Sequence, residues 1–146
     1  MKIEFRPFRG DWDWGYCRLH TTILRVEDTC GIMAIDADTN TTVGACLADS
    51  FTKTTAQCHI IVTNPLVLRH GMLETACDWA FNDRGLKAVY GWVPGNNEKA
   101  IKLNKHMGWQ VKATFEDGYA EGVDLILMEC TRANCRFIDQ NIEKVA

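Results

Sequence analysis

Between residues 54 and 93 the sequence reads strand, helix, strand, and that order constrains the fold more than any other stretch. The run TTAQCHIIVT (54–63) is rich in β-branched side chains, and Pro65, which lacks an N–H, ends its pairing. Met72, Leu73, Ala76, Cys77 and Ala80 then recur at helical spacing within 70–82. Arg84-Gly85 stops that helix, with Gly85 in the position where a left-handed residue closes it. LKAVYGWV (86–93) is the next strand. A strand returned by a helix lies parallel to its predecessor, and the connection is right-handed. An α/β fold follows, with a mixed central sheet and helices on both faces.

The flanking segments add antiparallel strands. KIEFR (2–6) alternates as a half-buried strand does, and Asp11 can cap a helix through Trp12, Tyr16, Leu19 and Ile23. GIMAID (31–36) and residues 43–49 read as a hairpin joined by the turn-forming DADTNTT. After Pro94-Gly95-Asn96, Asn97 is a good N-cap for a helix over 98–107 that Gly108 ends. Two last strands fit 110–116 and 123–130 across the turn DGYAEG, for about six to seven strands in all. The expected organisation is one domain over 1–131 and a short tail over 132–146.

Size and composition agree. A chain of 146 residues, 47% hydrophobic and 24% charged, can bury a core without staples. It has no apolar run long enough to span a bilayer, and the first residues lack the apolar centre of a signal peptide. Seven cysteines, none spaced CxxC, form neither a zinc pattern nor a disulfide framework, so no metal is expected and a reducing cytoplasm is. Cys58 and His59 are adjacent, and on a strand they point to opposite faces, a poor catalytic pair. Residues 84–112 carry six Lys/Arg against one Asp/Glu inside an otherwise acidic chain of net charge −3. That segment suits a compact polyanion or an ordinary solvated helix face; neither nucleic acid nor membrane is an expected partner.

The stretch 93–109 reads N-x-x-A-x-x-L-x-x-x-x-G-aromatic through Asn97, Ala100, Leu103, Gly108 and Trp109. It resembles the second half of the GCN5-related N-acetyltransferase (GNAT) core, where an Asn opens the helix after the fifth strand and a Gly–aromatic pair closes it. The strand order over about 2–130 fits a GNAT-like domain too. The resemblance implies acetyl-CoA as co-substrate and transfer of its acetyl group to a primary amine by direct attack.

It also implies where to look. The pantetheine arm would lie where two parallel strands part, beside Ile61, Val62 and Thr63, with Pro65 placed to force the parting. The N-terminus of the 70–82 helix would face the pyrophosphate. Of the family's phosphate loop, however, only Arg69 and Gly71 are matched, and His70 stands beside them. Asn97 opens the other helix of the site, and Lys102 and Lys105, with Lys99, suit the 3′-phosphate end. Asn104 occupies the position where many members carry a Tyr acid; an Asn can only hydrogen-bond the sulfur. The base candidates are His59 and, behind it, Glu27. Trp12, Trp14, Tyr16 and His20 fall where members build the acceptor pocket, at a spacing that also suits core packing.

Two functional readings stay open. One is a cytoplasmic N-acetyltransferase with a small-molecule or protein amine as acceptor. The other is a non-catalytic GNAT-fold protein with a degenerate CoA site, similar to proteins of tailed bacteriophages. That protein would have a virion role, bind or inhibit a host protein in the host cytoplasm, or pair as a homodimer.

Overall fold

The computed structural model describes residues 1–138. Its strands are β1 (Ile3–Pro7), β2 (Cys30–Asp36), β3 (Thr41–Asp49), β4 (Thr55–Val62), β5 (Ala88–Pro94), β6 (Gln110–Ala120) and β7 (Val123–Thr131). They form one sheet in the order β1-β2-β3-β4-β5-β7-β6. The crossover makes β4 and β5 parallel, and every other neighbouring pair is antiparallel. The helices are α1 (Asp11–His20), α2 (Met72–Asp78) and α3 (Glu98–Met107), and a π-helical turn, Trp79–Asp83, prolongs α2.

The two faces have separate cores. On one, α1 brings Cys17 and Trp14 against Met33, Leu47 and Ile61. On the other, α2 and α3 cover Cys58, Val89, Trp109 and Met128 with Leu73, Phe81 and Met107. Gly91 is bare because a Cβ there would press on the Trp109 ring. Gly108 closes α3 at φ 105, and a Cβ there would collide with the Asn134 carbonyl. Both reasons are physical ones for the Gly–aromatic pattern. Residues beyond β7 belong to this core: Arg132 N–H donates to Lys87 at 2.9 Å, Arg136 N–H donates to Met107 at 3.0 Å, and Cys135 is buried. Of the expected tail over 132–146, residues 139–146 lie outside the described residues.

Several expectations need correction. The N-cap of α1 is Gly10, at φ 52, and not Asp11; the helix stops at His20, short of Ile23. Asp11 instead pairs with Arg25. No side chain caps the helix; Asp13 Oδ2 instead accepts the N–H of Arg9, just ahead of it, at 2.7 Å. The second long helix begins at Met72 and not at residue 70, because Pro65–His70 forms a 3-10 helix that ends at Gly71 in the left-handed region, φ 84. Asn64 caps that segment by accepting the Leu66 N–H at 3.1 Å. The last hairpin turns only at Glu121-Gly122, and the stretch read as a turn belongs to β6, whose ladder is broken between Phe115 and Ala120.

Asp13 also ties α1 to β1. Its two carboxylate oxygens each accept a guanidinium N–H of Arg6 at 2.7 Å. Burial opposes its ionisation, but the bonds from Arg6 and Arg9 outweigh burial and hold its pKa below the ordinary carboxylate value. Its stabilising contribution is therefore complete above about pH 4 and is lost as pH falls through the lower folded value. Asp13→Asn should cost about 2 kcal/mol at pH 7 by urea unfolding. The gap from the parent protein should narrow at pH 3, and a gap that stays constant would reject this role for Asp13.

Candidate active site

β4 and β5 pair only over Thr55–Gln57 and Ala88–Tyr90. Beyond those residues each strand follows its own antiparallel partner, β3 to Val62 and β7 to Pro94. The strands part, and their facing backbone groups leave the ladder. Pro65 is not the cause, since the parting begins at Cys58, seven positions before it.

A cavity of about 320 Å³ opens in the gap. Its walls include Cys58–Ile60 of β4, Gly91–Pro94 of β5, and Asn97, Ala100 and Asn104 of α3. A second hollow of about 380 Å³ adjoins it and shares His59, Trp92 and Tyr119. His59 therefore stands at the boundary between two spaces.

Strand alternation puts Cys58 in the α2–α3 core and sends His59 to the other face. There His59 Nε2 lies 3.0 Å from Asp49 Oδ2. Asp49 is 6% exposed, and its Oδ1 accepts the Ser50 hydroxyl at 2.9 Å. The register pairs Leu47 with His59 and Asp49 with Gln57, so Asp49 and His59 are diagonal neighbours on one face. Cys58 lines the cavity, but a hydrogen bond with Cys46 and its burial push its thiol well above the ordinary value, which leaves it neutral and unreactive.

The other expected residues divide sharply. Asn104 and Asn97 line the first cavity. Asn104 is buried and donates its amide to Met128 Sδ at 3.7 Å. Asn97 Oδ1 accepts the Ala100 N–H at 3.2 Å, capping α3 at the cavity wall. Of the four aromatic and imidazole side chains near α1, only His20 reaches the cavity. Trp14 packs in the α1 core, and Tyr16 pairs its hydroxyl with Thr63 Oγ1 at 2.8 Å. Trp12 is 79% exposed under the Arg9 guanidinium, at a separate hollow by β1. Glu27 is exposed on a turn and lines none of these cavities. Ile61 is buried toward α1, Ile61 and Val62 finish β4 past the lining residues, and Thr63 follows the strand. Arg69 and His70 are exposed at the end of the 3-10 segment before Gly71, and Lys102 and Lys105 are exposed on α3.

Three residues of the site were not anticipated: Asp49, Trp92 and Tyr119. Asp49 ends the strand read over 43–49, but only the observed register, with Asp49 opposite Gln57, sets it diagonal to His59. Tyr119 was hidden by the turn reading of DGYAEG; the irregular stretch around Asp117, at φ 53, carries it to both cavities. Among the described residues no group of three or more His, Cys, Asp or Glu side chains is placed to hold a metal ion. Nor is any helix among them long and apolar enough to cross a membrane.

Asn97→Ala should lower stability by about 1 kcal/mol in chemical denaturation, the usual cost of a lost cap. No loss would mean that the side chain is kept for the cavity and not for the helix.

No protein-family model and no curated protein sequence matches the chain. Solved structures do. Spermidine/spermine N-acetyltransferase SpeG from Vibrio cholerae superposes with a TM-score of 0.74 at 14% identity, over 90% of this chain and 93% of that one. The same enzyme with CoA and spermine bound gives 0.74 at 13% identity, over 90% and 96%. A point variant of it gives 0.76 at 14%, over 96% and 98%. At such identity the likeness establishes the fold: a single mixed sheet of the GNAT type, spanning nearly the whole of both chains. The likeness to bacteriophage proteins has no counterpart in these three structures.

Proposed function

We propose that the chain is an acyl-CoA-dependent N-acetyltransferase that moves an acetyl group to a primary amine by direct attack. One observation carries the reading: β4 and β5 part after a three-residue ladder, and the cavity so opened reaches His59, which borders a second cavity and is held there by Asp49. Strand edges released from a ladder suit an amide-bearing arm, which can pair with them as an added strand would. The same fold holds CoA together with spermine in SpeG. Arg69 and the lysines of α3 supply positive charge for the phosphate end, and the His70 imidazole stands beside Arg69.

Acetyl-CoA supplies a thioester carbonyl open to attack. The protein has to deliver a neutral amine. Asp49 accepts from Nε2 of His59, which leaves the lone pair on Nδ1, free to take a proton from the incoming ammonium. The amine nitrogen then bonds to the acyl carbon as the carbon–sulfur bond breaks. The products are an amide, a thiol and one proton. Asn104 is an amide donor to sulfur, as it already is to Met128, and Tyr119 offers an ionisable O–H at the same boundary. A reducing cytoplasm with its acetyl-CoA pool suits this reading and the seven free thiols.

The second reading, a GNAT-fold protein that binds a partner with its CoA site degenerate, draws on the phosphate end. There Pro65–His70 forms a 3-10 helix, and the Glu74 carboxylate lies by Gly71 at the start of α2, where a phosphate would be repelled.

Thermal unfolding separates the two. Acetyl-CoA at 100 times its Kd should add about 2.7 kcal/mol, a rise of roughly 5–10 °C in midpoint. No shift at millimolar ligand would turn the search to protein partners. For the base, His59→Ala should lower kcat/KM about 100-fold. A base works only when deprotonated, so the parent rate should rise with pH and the variant should lose that limb; an unchanged pH profile would remove His59 from the chemistry.

A further inference from the structure

We infer that the acyl acceptor is a primary monoamine carried on an apolar or aromatic body, and not a polyamine. The inference rests on the acetyltransferase reading above and names the acceptor class of the same site. The second cavity, about 380 Å³, is of small-molecule size. Its walls include Ile23, Leu24, Trp92, Tyr119 and Leu125 beside Gln57 and His59, and among the described residues Asp49 is the sole carboxylate lining either this cavity or the one between the strands.

Two physical arguments meet here. The first is charge. Asp49 is buried, its partners are His59 and Ser50, and among the described ion pairs none joins it to Lys or Arg. A buried carboxylate without a fixed cation sets a negative potential at the His59 boundary, which favours one ammonium arriving there. A polyamine brings further ammonium groups. Those would lie against Ile23, Leu24 and Leu125, where no lining carboxylate among the described residues meets them and where a polyamine gives up the apolar cover that a monoamine's body provides. The second argument is surface. Leu24 is 82% exposed, Tyr119 50% and Trp92 41%, and Phe115 props the Trp92 ring at 5.8 Å between centroids. Large apolar side chains left open around one anionic point gain when an apolar body covers them. The SpeG enzyme that shares this fold is, by contrast, seen with spermine.

The test uses 2-phenylethylamine and spermidine as probes, with both calorimetric binding and acetylation measured on the full chain. 2-Phenylethylamine should be favoured about tenfold or more in Kd and in kcat/KM, and Asp49→Asn should weaken its binding by at least about tenfold. Leu24→Glu, at an exposed rim position where folding is indifferent, should shift the preference toward spermidine. Spermidine bound equally or better overturns the inference, as does 2-phenylethylamine binding that ignores both substitutions. If neither amine binds while acetyl-CoA does, the acceptor class is wrong and the transferase reading stands. If 2-phenylethylamine binds through Asp49 and acetyl-CoA does not bind, the transferase reading falls and the monoamine pocket stands.

Discussion

The short parallel ladder between β4 and β5 is the constraint on which the site depends. Each of these strands has a longer antiparallel partner on its other side, β3 for one and β7 for the other. Antiparallel pairing is the more stable per residue, so each strand keeps to that partner, and the three-residue parallel contact yields. Backbone groups released in this way need water or a ligand. The gap is therefore both a geometric opening and a row of donors and acceptors, and α3, entering through its Asn97 cap, makes one wall of it.

Within that opening, chemistry is placed by register. His59 and Asp49 meet because β3 and β4 pair without a bulge from Gly44 to Asp49. A slip of one residue would turn one of them to the α2–α3 side and bring Cys58 or Ala48 to the α1 side. The dyad and the core are thus specified by the same alternation, since Leu47 and Ile61 must face Cys17 and Met33 for α1 to pack. The Arg6–Asp13 pair, by holding α1 on that face, also fixes where the loop over residues 21–26 crosses the second cavity.

The sequence disclosed the elements well and their junctions less well. Period and turn chemistry were enough for the crossover, the hairpin, the helix over 98–107 and a mixed sheet of about six to seven strands. The misreadings at 10–11, 65–70 and 117–122 share a cause: tertiary contacts set the local backbone there. Gly10 takes φ 52 where Asp11 looked the better cap, and Asp117 takes φ 53 in a strand that looked finished. His59 and Asn104 were named from the family resemblance, and both line the cavity between the strands. Trp12 and Tyr16 shared a helical face on paper, yet α1 lies so that one is open to solvent and the other bonds Thr63. The angle at which a helix crosses a sheet leaves no trace in its own spacing.

The contact between Gly108 and Asn134 has a temporal side. Synthesis proceeds from the amino end, so α3 is complete long before the carbonyl that sits against its last turn exists. Arg132, whose guanidinium donates to the Phe81 carbonyl at 2.7 Å, arrives equally late. Both helices on this face are fastened by the segment that follows β7, so the last described residues to leave the ribosome are the ones that lock α2 and α3 to the sheet.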